Sequence, residues 1–427
     1  MTRSKTLLAP TGDPYTLAMM KTLFFLSGCL PLAAAEPGGG SPINPNGTFG
    51  ADAAFLEQQA GGFVLRSGDA AIAVVPGYQG RVMTATFEGD AGPSTGWINY
   101  DLIRSGRKEK HIHAFGGEER LWIGPEGGQY SVYFAPKAEF SFDNWFVPAP
   151  IDTDPFRIEK RDASSATFSH DFGLQNWSGF KFQIRAERAI RILDRAAASK
   201  AIGAEIPADL KMVAYETRNT LINRGQQPWT KKTGLLSIWM LGMLKHSPTT
   251  TVFIPVKSGD GPAVNTDYFG EIPTDRISVQ GDVVYFRCDG KFRSKIGVPP
   301  ARTKNIAGSF DSAAGRVTLV ACTPPAPGHA GYVNSAWKLQ DNPFAGDALN
   351  SYNDGPLEGG GQLGPFYEIE TSSPSYELPP GGRMEHVQTT VHLSGSNASL
   401  DNVTKAVAGI DTGTIATALP RVPRKNN

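Results

Sequence analysis

Apolar positions in this chain fall in short runs that stop at glycine, proline or asparagine. Residues 62–66 (Gly-Phe-Val-Leu-Arg) and 71–75 (Ala-Ile-Ala-Val-Val) flank Ser67-Gly68-Asp69. Two apolar runs around such a turn predict a β-hairpin, because Gly and Asp accept the left-handed backbone that a tight turn needs. The same texture predicts strands over 81–87, 130–135, 166–172, 180–192, 212–222, 234–241, 251–256, 282–287, 316–322, 332–339, 364–371 and 384–393. Turn chemistry recurs between them, at Asn223-Arg224-Gly225, at 258–261 and at Pro380-Gly381-Gly382. Only 193–203 and 400–409 read as helices, and no repeat of propeller or solenoid length is visible. At least a dozen strands with no internal linker predict an all-β fold, one large antiparallel sandwich with few short helices. Its domain is expected over 51–410, after a Gly/Pro/Asn-rich linker at 36–50 and before a flexible tail at 411–427.

Composition narrows the partner as well as the fold. The 41 basic and 41 acidic side chains cancel, so the chain has no excess cation to neutralise phosphates, and nucleic acid is not an expected partner. An apolar content of 40%, with 23 Phe, 12 Tyr and 7 Trp, is too hydrophobic for a disordered chain. The 48 Gly and 32 Pro disfavour a helical bundle, because both break helix interiors.

The N-terminus reads as an export signal. Lys21, the apolar run Leu23-Phe24-Phe25-Leu26, then Leu30, Leu32 and Ala33-Ala34-Ala35 describe a signal peptide within 1–35, with translation starting at Met19 or Met20. The run is well short of the roughly 20 apolar residues of a transmembrane helix, so an exported protein, periplasmic or secreted, is expected. Leu26-Ser27-Gly28-Cys29 has the form of a lipoprotein box, but few apolar residues precede Cys29, and anchoring there is the lesser alternative. Beyond the signal remain Cys288 and Cys322, able either to pair in an oxidising compartment or to sit buried as free thiols.

Three clusters carry candidate chemistry. Segment 111–129 holds His111, His113, Glu118, Glu119, Arg120, Trp122 and Glu126. In extended backbone His111 and His113 point the same way, and an imidazole can give or take a proton near neutral pH. The plainer alternative is a polar surface loop. A divalent metal on His-x-His is the weaker reading of so short a motif, and neither metal nor cofactor is expected. Residues 350–356, with Asn353 and Asp354, read either as a turn or as a loop that hydrogen-bonds sugar hydroxyls. In 364–374 alternation sets Glu368 and Glu370 on one face of a strand with Phe366, and Tyr367 and Ile369 on the other. Two carboxylates on one face are costly to bury unless paired or used, and acid–base chemistry on a sugar is one use. The alternative is an exposed, solvated face. Trp97, Trp122, Trp145, Trp239 and Trp337 are divided between core and platforms for a pyranose. No nucleophile elbow of the Gly-x-Ser-x-Gly type and no P-loop occurs.

Glu370-Thr371-Ser372-Ser373-Pro374, the turn Leu378-Pro379-Pro380-Gly381-Gly382 and a closing strand through His386 to Leu393 resemble the C-terminal end of aldose 1-epimerases, the galactose mutarotases. The resemblance implies a mutarotase-like β-supersandwich with Glu370 as general base, Arg81 as a binding arginine and His111 or His113 ahead of Gly116-Gly117 as the loop histidine. The family's general-acid histidine has no counterpart in 236–241, where Trp239 stands, and His246 comes several residues late, so mutarotation itself is not implied. Over nearly the whole mature chain, the phrases at 78–89, 116–129, 212–220, 265–270, 333–344 and 350–374 resemble a secreted bacterial family of unknown function.

Together these readings point to a carbohydrate-active enzyme of epimerase, lyase or hydrolase type. Glu370, Glu368 and His111 are its expected catalytic groups. Arg81, His113, Glu119, Arg120, Trp122, Glu126, Tyr268, Trp337, Asn353 and Asp354 are expected to bind its saccharide. A non-catalytic saccharide-binding protein is the alternative, and a structural envelope protein is a third reading if the clusters lie far apart.

Overall fold

The computed structural model describes residues 47–357 and 360–420, so the expected signal, Cys29 and most of the expected linker lie outside the described residues. The first elements are helix α1 (Phe49–Ala60) and the strands β1 (Phe63–Ser67), β2 (Ala70–Val75) and β3 (Arg81–Thr86). There follow α2 (Tyr100–Ser105), β4 (Arg120–Gly124), β5 (Arg157–Arg161), β6 (Ser165–Gln175), β7 (Lys181–Ile192), α3 (Arg195–Ile202) and β8 (Lys211–Asn223). The middle of the chain forms β9 (Ser237–Leu241), β10 (Leu244–Lys245), β11 (Thr250–Pro255), β12 (Ile277–Gln280), β13 (Val283–Arg287), β14 (Ser294–Val298), β15 (Ile306–Asp311) and β16 (Arg316–Cys322). The last are β17 (Leu349–Asn353), β18 (Phe366–Ser372), β19 (Arg383–Ser394), α4 (Asn397–Ala408) and α5 (Thr412–Thr417).

The expected all-β sandwich is what forms. Ten strands make one antiparallel sheet in the order β12-β13-β11-β15-β16-β19-β8-β7-β6-β5. A smaller sheet runs β14-β17-β18-β9-β4, with β10 also on β18, and β1-β2-β3 form a third. The β1–β2 turn is the expected hairpin: Ser67 pairs with Ala70, and Gly68 takes φ +62°. In β7 every second residue, Phe182, Ile184, Ala186, Arg188 and Ile190, is buried, so one arginine stands in an otherwise apolar inward stripe. One core joins the two larger sheets, with Val252, Ile254, Val284, Phe286, Val320 and Ala307 packed against Ile296, Leu349, Tyr367 and Ile369. Another part of the large sheet is covered by helices, through Ala198, Ile202, Leu400, Val403 and Ile415.

Several elements differ from expectation. Residues 130–135 and 332–339 form no named strand, and Phe134 and Tyr332 make only isolated bridges. Their aromatic side chains instead pack over the smaller sheet. Residues 350–356 are not a turn, because β17 occupies 349–353 and is buried throughout. Residues 411–420 do not fray: Asp411 caps α5 by accepting from the Thr414 N–H, and Ile415 and Leu419 are buried. Helix α1 spans the expected linker boundary, with Phe49, Phe55 and Leu56 inward. Cys288 and Cys322 are free thiols, and burial pushes that of Cys322 up to about 12. No helix among the described residues is long and apolar enough to cross a membrane.

Candidate functional site

Register decides which side chains meet on the smaller sheet. Lys295 of β14 stands beside Tyr352 of β17, which stands beside Glu368 of β18. Asn350 stands beside Glu370, Glu370 beside Leu241 of β9, and Leu241 beside Arg120 of β4. Trp239 and Trp122 are opposite one another as well. Directly paired residues point to the same side, so one face carries Lys295, Tyr352, Asn350, Glu368, Glu370, Trp239, Arg120 and Trp122. Ile296, Leu349, Tyr367, Ile369 and Leu121 point the other way, into the core. The sequence-based division of 366–370 between two faces therefore holds, and β18 is a central strand.

Glu370 is fully buried and doubly held: Trp239 Nε1 donates to its Oε2 at 2.9 Å, and Lys295 Nζ donates to the same oxygen at 2.8 Å. The ammonium lies 4.8 Å from the Trp239 ring and 5.6 Å from that of Tyr268, a cation against two π faces. Arg120 Nη2 donates to Glu368 Oε1 at 2.7 Å, and its guanidinium lies 4.7 Å from the Trp122 ring. Burial pushes the Glu368 carboxyl up to about 8, against the pull of Arg120 and with the push of the Glu370 charge. Glu126 is less buried. Desolvation pushes it up to about 7, opposed by Lys295 and reinforced by Glu370, while the Trp337 indole holds it down. Tyr268 donates to Asp347 and accepts from Asn350 Nδ2 at 2.8 Å.

Four buried polar atoms in this cluster lack a protein partner: Glu370 Oε1, Arg120 Nε, Trp122 Nε1 and Trp145 Nε1. An unsatisfied buried group costs about 1–3 kcal/mol, so these four have donor or acceptor capacity left for polar groups that reach them. Glu126, Trp337, Tyr268, Lys295 and Asp347 are the half-buried members, and they form the accessible lip above a buried floor. Gly297 is required at that lip. A Cβ there would overlap Asp347 Oδ2 and stand 2.5 Å from the Tyr268 hydroxyl. Gly297→Ala is expected to displace Tyr268 and to lower stability by about 1–3 kcal/mol, as overpacking does, measured by denaturant unfolding.

The remaining expected residues are placed elsewhere. Glu119 faces the core, fully buried in a two-pronged ion pair with Arg188, with N–O distances of 3.0 and 2.9 Å. It precedes Arg120 by one residue, and that step sends it to the other face. His111 and His113 do not converge. His111 Nδ1 donates to the Trp145 carbonyl at 2.7 Å, whereas His113 takes Asp152 at Nδ1, 2.7 Å away, and accepts from the Glu109 N–H at Nε2. Both nitrogens of His113 are thereby occupied, and its task is to hold the loop. Arg81 is buried, donating to the Gly116 carbonyl and to Gln79 Oε1. Desolvation lowers it to about 9, and the nearby Arg120 charge adds to this, so it supports the site from behind. Asn353 points to the core face and fastens 290–292 through the Gly290 N–H and the Phe292 carbonyl. Asp354 accepts from the Tyr352 hydroxyl at 2.5 Å, and that hydroxyl accepts from Arg293 Nε. Both therefore position the Arg293 side of the lip. Lys295 and Asp347 are cluster members that the sequence reading did not assign; Trp239 was named there only as one of five tryptophans for core or platform, and Asn350 only within 350–356.

A family model matches residues 47–419. The chain belongs to that family of unknown function (DUF6786). Among solved structures, this DUF6786 protein is similar to a galactose mutarotase-like protein from Lactobacillus casei, with 9% identity and a TM-score of 0.47 over 78% of this chain and 99% of the other. It is also similar to a candidate aldose 1-epimerase from Escherichia coli K12, with 11% identity and a TM-score of 0.47 over 78% and 98%. A galactose mutarotase related enzyme from Lactobacillus acidophilus gives 9% and 0.42 over 78% and 97%. The sequence matches none of the curated proteins.

Proposed function

We propose that this DUF6786 protein is an exported carbohydrate-active enzyme that performs acid–base chemistry on a saccharide at the β14-β17-β18-β9-β4 face. One observation carries the reading. Two carboxyls there have opposed surroundings: Glu370 is held by an ammonium and an indole N–H, while Glu126 is pushed up to about 7 beside it. The geometry favours Glu370 as the base, because one of its oxygens has no protein partner, and Glu126 as the acid, because it is desolvated yet half-buried. Trp337, half-buried over the buried Trp239 and Trp122, supplies indole surface for the apolar side of a pyranose, and the orphaned donors and acceptors suit its hydroxyls. The likeness of 370–374 to aldose 1-epimerases supports Glu370 as the base.

In this mechanism Glu126, protonated, donates to a sugar oxygen. Glu370 Oε1, the oxygen that neither Lys295 nor Trp239 engages, receives a proton from the substrate. Arg120 keeps Glu368 in place, and the pair orients hydroxyls.

The pH dependence follows. Turnover is expected to fall as pH rises through about 7, where Glu126 loses its proton. Glu126→Gln should lower turnover by about 10²-fold and remove that limb, measured as a kcat profile. Stability has its own sign. Glu126 and Glu368 stand above their ordinary 4.5, so what they contribute is complete below that pH and declines as pH rises through about 7 and about 8. A screen of mono- and oligosaccharides for product formation tests the reading. A saccharide that is bound at this face yet never converted would assign the protein as a binding module.

A further inference from the structure

His111 is used by neither the acid nor the base, yet its surroundings are specific. Its ring lies 4.4 Å from that of Phe142 and 5.0 Å from that of Phe146. Phe142 is 55% exposed and Phe146 40%, so both rings present open apolar surface around the imidazole. A carbonyl can only accept, so the Trp145 carbonyl fixes the proton on His111 Nδ1 and leaves Nε2 as an acceptor, without a hydrogen-bond partner among the described residues.

This patch is joined to the candidate site by ring packing through the buried Trp145. The Phe142 ring lies 5.9 Å from that of Trp145, Trp145 lies 5.9 Å from Trp337, and Trp337 holds down the Glu126 carboxyl. A pyranose, no larger than the indoles between, cannot span from Glu126 to Phe146. A saccharide that uses both ends has to contain several sugar residues. An aromatic face with one hydrogen-bond acceptor at its centre is also the chemistry that holds a sugar: C–H groups against the rings, one hydroxyl toward the nitrogen.

We propose that His111, Phe142 and Phe146 form a distal sugar subsite, so that the protein takes an oligosaccharide or polysaccharide chain, with the distal residues of that chain held here and the reacting unit beside Glu126. The proposal rests on the saccharide reading of the main face. The hydroxyl–Nε2 bond needs neutral imidazole. Lys110 Nζ lies 6.0 Å from the Phe146 ring.

The test is calorimetric titration with size-matched series, malto-, cello-, xylo- and manno-oligosaccharides from two to six residues, into wild type, Phe142→Ala/Phe146→Ala and His111→Ala. Both phenylalanines are exposed, so the double variant is expected to fold, as circular dichroism would check. In the series that binds, the hexasaccharide should exceed the disaccharide in affinity by at least tenfold, and that ratio should fall toward one in the double variant. A ratio near one in wild type, or a ratio that the double variant leaves intact, overturns the subsite. In either case binding that Glu126→Gln or Arg120→Ala weakens at every length keeps the main face. Absence of binding by every series at every length overturns the saccharide reading, and the subsite with it.

Discussion

Glu370→Gln is expected to reduce turnover by about 10³-fold while saccharide binding persists within a few-fold, since removing a positioned general base forfeits about 10²–10⁴ in rate. The amide keeps the shape of the carboxyl and can still accept from Trp239 Nε1 or Lys295 Nζ, so the floor of the site is retained. It cannot take a proton at the free oxygen. The substitution also leaves the Lys295 ammonium without its counter-charge in a largely buried place, and some loss of stability is expected with it. Comparison with Lys295→Met separates the two effects. That variant leaves the carboxylate in place, so it should lose stability by a similar amount and turnover by much less. If both variants lost turnover equally, Glu370 would be acting only through the ion pair.

The second large effect is on folding. Glu119→Ala is expected to destabilise the protein by about 3–5 kcal/mol, because it strands the Arg188 guanidinium, fully buried, inside the sandwich. Arg188 also donates to Asn219 Oδ1 and to the Gly80 carbonyl, but neither supplies a charge. Replacing both partners, as Glu119→Leu/Arg188→Met, should recover most of the loss, since an apolar pair of similar volume avoids desolvating two ions. Denaturant midpoints of the two single variants and the double variant check this. A Glu119→Ala variant as stable as wild type but unable to bind saccharide would restore Glu119 to the site.

The physical reason that some of this was legible in the sequence is periodicity. Glu368 and Glu370 are two residues apart in a run with apolar partners between, so their shared face follows from strand geometry alone. Arg120 and Trp122 have the same spacing, and the structure places them on that same face, on β4 across β9 from β18. Glu119 was misplaced because no strand was predicted over 119–124, and the whole cluster was taken together. Once β4 is a strand, adjacent residues must part company. Its partner had a signal of its own: Arg188 interrupts the apolar stripe Phe182, Ile184, Ala186, Ile190, and a charge in such a stripe demands a counter-charge from elsewhere. Lys295 carried no local mark, and Trp239 was one of five tryptophans that nothing local told apart. They join the site only through the strand order β14-β17-β18-β9-β4, which brings Lys295 and Trp239 to Glu370 across 75 and 131 residues of chain. The aromatic loops at 130–135 and 332–339 mimic strands because their hydrophobicity covers a sheet instead of belonging to one.

The saccharide assignment of this face is tested most directly by a crystal structure of the Glu370→Gln variant soaked with the longest oligosaccharide that wild type is found to bind. The account predicts a sugar ring over the Trp239 and Trp122 floor, a glycosidic or anomeric oxygen within hydrogen-bonding reach of Glu126, and further residues running toward Phe142 and Phe146. A saccharide ordered instead on the outer side of the large sheet, in the hollow bounded by Glu159, Arg185, Glu187 and Arg218, would contradict it.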